Sequence, residues 1–441
     1  MSFCKLNNIS GCLFLILLFI GFQQFPVINV GGSLKIYELL GLFLLCLFGI
    51  GRCKNVLTHL LFFFFILSPV LSLISFYLMD AEISSFYRTY PVVKDKFRFN
   101  IFIFPILQLL YMLTNYTVCY YLYFDRKLYH NFEIVKKWMV IVGFWISVYS
   151  LISMLTVDVV GKLPEFIQNK HGYEFRSSGF SQEPSSYVLY QGWIVLITFY
   201  SKNSFSLIKW IIILGVNVLS LLLTFSSTLI AFVGIIIMMV FIFSKPTYKL
   251  FYISLLAVSM YIGYLTLSRY LDVGMLNYAF VEKVEDFIFG KDDAGGSGGF
   301  RHYEASLGWI MFKHNPVLGV GVGNSVYYMH EAARESPIVP MGEQLHPGSF
   351  PPNMFSSVFA EQGMFGGVLL LLLIGYICIQ IWKYRNEKYG KLFLTGTLFN
   401  MSSFFAIAPV YSMYLWVFVM MALGYIRYQK EKKVLRLIFR K

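Results

Sequence analysis

Long apolar stretches alternate with short polar breaks along this chain, and the stretches run close to twenty residues. That is about the length a helix needs to cross a ~30 Å hydrocarbon core. Transmembrane strands would need only about ten alternating residues, and no such alternation recurs. Backbone groups in lipid must satisfy one another, so helices are expected. Twelve spans are read, near 9–28, 34–50, 57–78, 99–124, 138–157, 186–200, 208–224, 227–243, 248–268, 362–382, 392–409 and 411–427. The predicted fold is an all-α polytopic membrane protein, one integral membrane domain over 1–441. The first stretch lacks a small-residue cleavage site and has further spans behind it, so it is read as a span rather than a secretory signal.

Composition agrees: 57% of the residues are apolar and 13% charged, where a soluble domain carries roughly 25% charged residues. Lys/Arg bias sets the orientation. With the N-terminus inside, Arg52, Lys54, Arg126, Lys127, Lys136, Lys137, Lys202, Lys209, Lys245 and Lys249 fall on the cytoplasmic side. Lys383 to Lys391 and the tail from Arg427 to Lys441 join them, so both termini are expected in the cytoplasm. The net charge of +13 then lies mostly beside anionic headgroups. Dispersed over short loops and a juxtamembrane tail, it argues against nucleic acid as a partner. The six cysteines sit in spans or at their cytoplasmic ends, with no C-x-x-C pair and no disulfide framework.

Short connections make two external segments conspicuous, 158–185 and 269–361. Long connections in compact proteins are commonly functional. The second is rich in aromatic residues, and its stretch 300–314 spaces Ala305, Trp309 and Phe312 as an interfacial helix would. Gly319-x-Gly321-x-Gly323 reads as a turn rather than a phosphate cradle, because no strand of a βαβ unit precedes it. His302, His314, His330 and His346 lack tight ligand spacing, so no metal site is expected.

The joint pattern is more specific than its parts. Arg176-x-x-Gly179 is followed by Glu183-Pro184, then by two short spans around "TFSST". Next come Arg301, "HNPVLGVGVGNS" from His314, and Asn353 with Gly363 and Gly366 behind it. From roughly Phe175 to Gly367 this resembles the O-antigen polymerase and O-antigen ligase superfamily. The resemblance implies a glycosyltransferase in the bacterial cytoplasmic membrane, acting at its outer face on oligosaccharides linked to undecaprenyl pyrophosphate. It implies no nucleotide sugar, no cofactor and no required metal, and it makes a flippase and a chain-length regulator the expected protein partners.

By the same resemblance, Arg176 and Arg301 are the candidate pyrophosphate ligands, with Gly179, Asn315 and Asn353 as further substrate-binding positions. Arginine suits that role because its planar fork matches paired phosphate oxygens. The acceptor hydroxyl needs a general base. Glu183 is the first choice, since Glu-Pro lies in the segment that best resembles the family and close to Arg176. A Glu183 that merely orients Arg176 is the alternative, and His346, His302 and Glu304 are the other candidate bases. One position departs from the pattern: ligase-like members have His directly before the Asn, and here it is Pro352. The expected function is therefore polymerisation of repeat units of O-antigen, capsule or exopolysaccharide. An O-antigen-type ligase and a flippase are the rivals. The flippase fits less well, because the spans are poor in ionisable residues and show no two-fold repeat.

The threading predicts that Glu285→Cys, in a cysteine-free background, reacts with an impermeant maleimide in intact cells. Labelling only after permeabilisation would overturn the orientation.

Overall fold

The computed structural model describes residues 8–23, 26–29, 33–78, 88, 90–93, 100–155, 176–181, 183–243, 254, 297–338, 345–405 and 412–438. These residues are all-α apart from one two-stranded hairpin. In chain order come α1 (Asn8–Phe19), β1 (Pro26–Asn29), β2 (Ser33–Lys35), α2 (Ile36–Phe48) and α3 (Val56–Phe62). A π-helical turn over Phe63–Leu67 leads without interruption into α4 (Ser68–Leu78). Then follow α5 (Ile103–Phe124), α6 (Arg126–His130), α7 (Phe132–Leu155), α8 (Pro184–Phe199), α9 (Leu207–Leu222) and α10 (Ser227–Phe243). The remainder is α11 (Ser297–His314), α12 (Ser325–Glu335), α13 (Met354–Lys383), α14 (Gly390–Ser403) and α15 (Met413–Ile438).

Among the described residues four helical stretches are long and apolar enough to cross a membrane: Val56–Tyr77, Ile103–Phe124, Phe132–Ser153 and Met354–Lys383. Asn8–Phe19, Ile36–Phe48, Leu207–Leu222 and Thr228–Phe243 are shorter apolar helices. The all-α class is thus as expected, and four of the twelve expected spans have a described helix of crossing length. Apart from Ser254, the stretch 248–268 lies outside the described residues, as does most of the segment 158–185 and the part of 269–361 before Ser297. The expected first span, 9–28, is corrected: α1 ends at Phe19 and Pro26–Asn29 is a strand paired antiparallel with Ser33–Lys35. Pro26 disfavours helical backbone in the residue before it, and Val27 and Ile28 are β-branched. The π-turn has a comparable local cause. Pro69 offers no N–H to the carbonyl of Phe65, and Ser68 N–H instead reaches back five residues to Phe63 O.

Buried aromatic rings knit the bundle. Trp416 packs against Phe64, Phe65 and Phe404, with ring centroids 5.1–5.9 Å apart. Trp193 stacks on Phe418 at 5.2 Å and donates from Nε1 to Asn400 Oδ1 at 3.0 Å. Asn400 Nδ2 donates in turn to Leu415 O, so one amide ties α8, α14 and α15 together. A buried indole N–H without such a partner would be costly.

One junction fixes the segment 297–325 to the bundle. α13 is broken at Gly363, whose φ of 62° and ψ of −159° interrupt the helix. The chain leaving α11 lies in that break and exchanges four backbone bonds with it. Val320 N–H donates to Ala360 O and Gly321 N–H to Glu361 O, at 2.9 and 3.0 Å. In return Met364 N–H donates to Pro316 O and Phe365 N–H to Val317 O, at 2.7 and 3.2 Å. The backbones approach so closely that a Cβ on Gly319 would stand 2.4 Å from the Glu361 carbonyl carbon. One on Gly363 would stand 2.4 Å from Val317 C. Gly319, Gly321 and Gly323 all sit at positive φ (70°, 93° and 76°), so the glycine run is a turn.

Gly319→Ala and Gly363→Ala should each lower the melting temperature in detergent by several degrees, because strain and backbone overlap add. Gly375→Ala, also on α13 but facing open space, should be neutral or slightly stabilising. Equal melting of all three would show that the close approach is not needed.

Candidate active site

Four of the candidates, Arg176, Gly179, Glu183 and Arg301, meet where α8 begins and α9 ends. The segment 176–181 enters this corner and is sewn to the turn after α9. Ser177 N–H donates to Leu223 O at 2.9 Å, and Arg176 Nε donates to Thr224 O at 3.2 Å. Phe225, next along, is held at φ 44°, a strained value for a bulky residue. "RSSGF" from Arg176 and "TFSST" from Thr224 are therefore two sides of one structure, although some fifty residues separate them.

Beneath this corner lies a ladder of buried hydroxyls and amides. Ser177 Oγ is 2.6 Å from Ser150 Oγ on α7 and 3.0 Å from Ser220 Oγ on α9. Ser220 reaches Tyr187 Oη on α8 at 2.8 Å. Gln191 Nε2 then donates to Ser147 Oγ at 2.7 Å and to Asn217 Oδ1 at 3.1 Å. Gly179 closes the loop: its N–H donates to Ser150 Oγ at 2.9 Å, φ is 54°, and a Cβ would stand 2.6 Å from the Tyr187 ring. A buried polar group costs little only when it is paired. The ladder therefore locks the Arg176 backbone onto three helices.

Glu183 occupies the N-cap of α8, with Pro184 at the first helical position. Its carboxylate does not cap the helix. Oε2 accepts from Ser185 Oγ at 3.0 Å and from Arg301 Nη2 at 3.2 Å. The partner the structure gives Glu183 is thus Arg301, where the sequence had placed the carboxylate beside Arg176. Both side chains stay accessible, Arg301 37% and Glu183 50%. Tyr414, hydrogen-bonded to Ser186 and within electrostatic range of Glu183, adds a hydroxyl from α15. The sequence reading missed it: a tyrosine at the edge of a late apolar stretch carries no motif.

The other candidates take different places. His302 is exposed and Glu304 half-buried, both on α11 beside Arg301. His346 is exposed in the loop ahead of α13, where its carbonyl accepts from Ser349 N–H at 3.0 Å. Asn353 is engaged structurally: it caps α13, Oδ1 accepting from Ser356 N–H at 2.7 Å. Asn315 follows α11, and its carbonyl accepts from Gly319 N–H at 3.1 Å. Among the described residues no three His, Cys, Asp or Glu side chains are grouped to hold a metal ion.

Sequence reasoning also passed over Glu361, which is 3% exposed and receives Ser325 Oγ at 2.7 Å. Its signal was available: a lone acid immediately before some twenty apolar residues is rarely idle.

Residues 210–371 match the family model described as O-antigen ligase. The matched region runs from α9 to the first half of α13 and holds Arg301, the glycine run, Asn353 and Gly363; Arg176 and Glu183 precede it. No curated protein matches the chain. The match supports the O-antigen ligase/polymerase superfamily and, with the apolar helices, a multi-pass membrane enzyme of that type. Lipid-linked oligosaccharides are the substrates such a family implies.

An ion pair as exposed as Arg301–Glu183 is worth less than about 1 kcal/mol to the fold. Glu183→Gln should therefore melt within about 3 °C of the parent protein in detergent. A large loss of stability would make the carboxylate a folding element instead.

Proposed function

We propose that this chain polymerises oligosaccharide repeat units carried on undecaprenyl pyrophosphate, for O-antigen, capsule or exopolysaccharide, at the outer face of the cytoplasmic membrane. The observation that carries the reading is the meeting of Arg301 and Glu183, 118 positions apart, across 3.2 Å at an accessible corner of the bundle. Arg176 is anchored at the same corner through Thr224 O. The basic loops gather elsewhere, in a network of Glu133 with Lys136 and Lys388, Glu387 with Lys433, and Glu431 with Arg126 and Arg427. α8 runs between the two regions, from Glu183 down to Tyr200, whose carbonyl accepts from Lys136 Nζ. A cation-rich end and a site end on opposite sides of the bundle fit a cytoplasmic and an outer face.

In this reading the bond between the anomeric carbon of the growing chain and its lipid pyrophosphate breaks. A bond forms from that carbon to a hydroxyl oxygen at the non-reducing end of a new lipid-linked repeat. The hydroxyl proton passes to Glu183, and undecaprenyl pyrophosphate leaves with the electron pair. Negative charge grows on the departing phosphate, and guanidiniums already in place stabilise it. Glu183 holds Arg301 in the resting site and would release it to the donor, which leaves the carboxylate free to accept a proton.

A second reading has one specific observation behind it: the matched family is described as a ligase. Pro352, which stands where ligase-like members carry His, favours the polymerase, because proline has neither a titratable side chain nor an N–H. The two differ in product, a chain-length ladder on the lipid carrier against transfer of finished glycan to another acceptor.

Arg176→Ala and Arg301→Ala should each lose on the order of tenfold to a hundredfold in elongation rate, the value of a charge-assisted bond. The cells should show a single repeat unit in place of a ladder, with protein still in the membrane. Arg→Lys should rescue only in part. Glu183→Gln should bind donor yet fail to elongate. A ladder from Glu183→Gln with none from His346→Ala would move the base to His346.

A further inference from the structure

A second feature of chemical interest lies far from Arg301, where the first turns of α7 and α9 face each other. A groove of about 500 Å³ opens there, lined by Lys137, Phe144, Ser204, Phe205, Ser206, Lys209, Ile212 and Ile213. Its lining holds two cations, two hydroxyls and no acid. Neither Lys137 nor Lys209 has a carboxylate partner among the described residues; Lys137 rests against the Phe205 ring at 5.9 Å. The contrast with the preceding residue is sharp. Lys136 is 2% exposed and satisfied internally, by Glu133 at 2.8 Å, Tyr389 Oη at 2.8 Å and Tyr200 O at 3.2 Å. Lys137, about 100° further round the helix, carries its charge into the groove.

We infer that this groove binds the headgroup of an anionic phospholipid, with the phosphate between Lys137 and Lys209 and an acyl chain along Phe144, Ile212 and Ile213. The vertical order of groups favours a lipid over a soluble anion. Ile212 and Ile213 lie one turn beyond Lys209 along α9, and Phe144 two turns beyond Lys137 along α7, roughly 5 and 10 Å by helical rise. Charge and hydroxyls thus stand at the mouth and apolar surface lies deeper, the order in which a phospholipid presents phosphate and hydrocarbon. The apolar wall continues outward over exposed Trp145, Ile152, Ile211 and Leu219, a face suited to lipid tails. Lys202, 5.8 Å from the Trp210 ring, stands two residues before Ser204 of the lining. Ser206, at the N-cap of α9, makes no side-chain cap bond, and the first turn holds no acid to compete for the cations.

The test uses native mass spectrometry on the full chain in detergent, titrated with phosphatidylglycerol or phosphatidylcholine. The parent protein should retain one phosphatidylglycerol per chain under conditions that strip phosphatidylcholine. The double variant Lys137→Ala/Lys209→Ala should lose that preference by roughly tenfold or more, at about 1 kcal/mol for each cation near a lipid surface. Lys391→Ala, an exposed lysine outside the groove, should retain it. Equal retention of the two lipids by the parent protein would overturn the inference without recourse to any variant. So would full retention by the double variant, or competition by millimolar inorganic phosphate, which would mark a site for a free anion.

Discussion

Backbone-to-backbone contact at the break in α13 is the constraint on which the candidate site depends. A membrane helix has no unpaired N–H or C=O to offer a neighbour, since its own ladder consumes them. Gly363 changes that. By leaving helical backbone it frees the carbonyls of Ala360 and Glu361 and the amides of Met364 and Phe365, and the chain 316–321 takes up all four. Four such bonds in a water-poor setting are specific to register, and they hold only because Gly319 and Gly363 present no Cβ where the backbones meet. α11 is tied to this junction through Asn315 and Pro316. It packs Trp309 and Phe312 on Phe359, each at 5.2 Å, which sets the height at which Arg301 reaches Glu183.

The second anchor is of a different kind. Arg176 sits on polar side chains inside the bundle, and Ser147, Ser150, Ser177, Tyr187, Gln191, Asn217 and Ser220 hydrogen-bond one another across three helices, with Gln191 Oε1 alone left over. Such a network gains little in net stability over apolar packing, but a displaced member leaves several groups unpaired. It therefore specifies position. One arginine is positioned by backbone pairing and the other by a hydroxyl ladder, and the accessible carboxylate of Glu183 stands where the two supports meet.

Much of this was legible in the sequence, and the failures have physical causes. The all-α class and the recurring apolar helices were readable because lipid imposes one secondary structure on any crossing segment, and among the described residues four of them are long enough to cross. The error at 9–28 arose because hydropathy cannot tell an apolar helix from an apolar hairpin; Pro26 was the local sign. The starts of α7 and α13 come earlier than hydropathy placed them, at Phe132 and Met354, because polar first turns such as Phe132–Lys137 hide a helix from a hydropathy reading. The glycine run read as a turn and is one. What it turns for was hidden, because a backbone bond between residues forty positions apart leaves no side-chain pattern. The partner of Glu183 was hidden for the same reason. Arg176 is near in sequence and Arg301 is not, and only the docking of α11 brings the second into range.

Two carboxylates near this corner face the same solvent problem and resolve it oppositely. Glu361 is buried, takes the Ser325 hydroxyl at 2.7 Å, lies against the amides of Gly323 and Ser325, and through its backbone carbonyl holds Gly321. It serves the junction, and at 3% exposure it is closed to a sugar hydroxyl. Glu183 gives up the helix cap its position would allow and leaves half its side chain accessible, with an arginine for a partner. Because the ion pair is solvent-exposed, Arg301 can exchange the carboxylate for a phosphate at small cost, leaving Glu183 with the Ser185 hydroxyl, since such pairs are weak in water. Accessibility, a cheaply broken ion pair and an arginine that gains by binding phosphate are what a base coupled to donor binding requires. Of the two carboxylates, Glu183 alone fits that role in the proposed reaction.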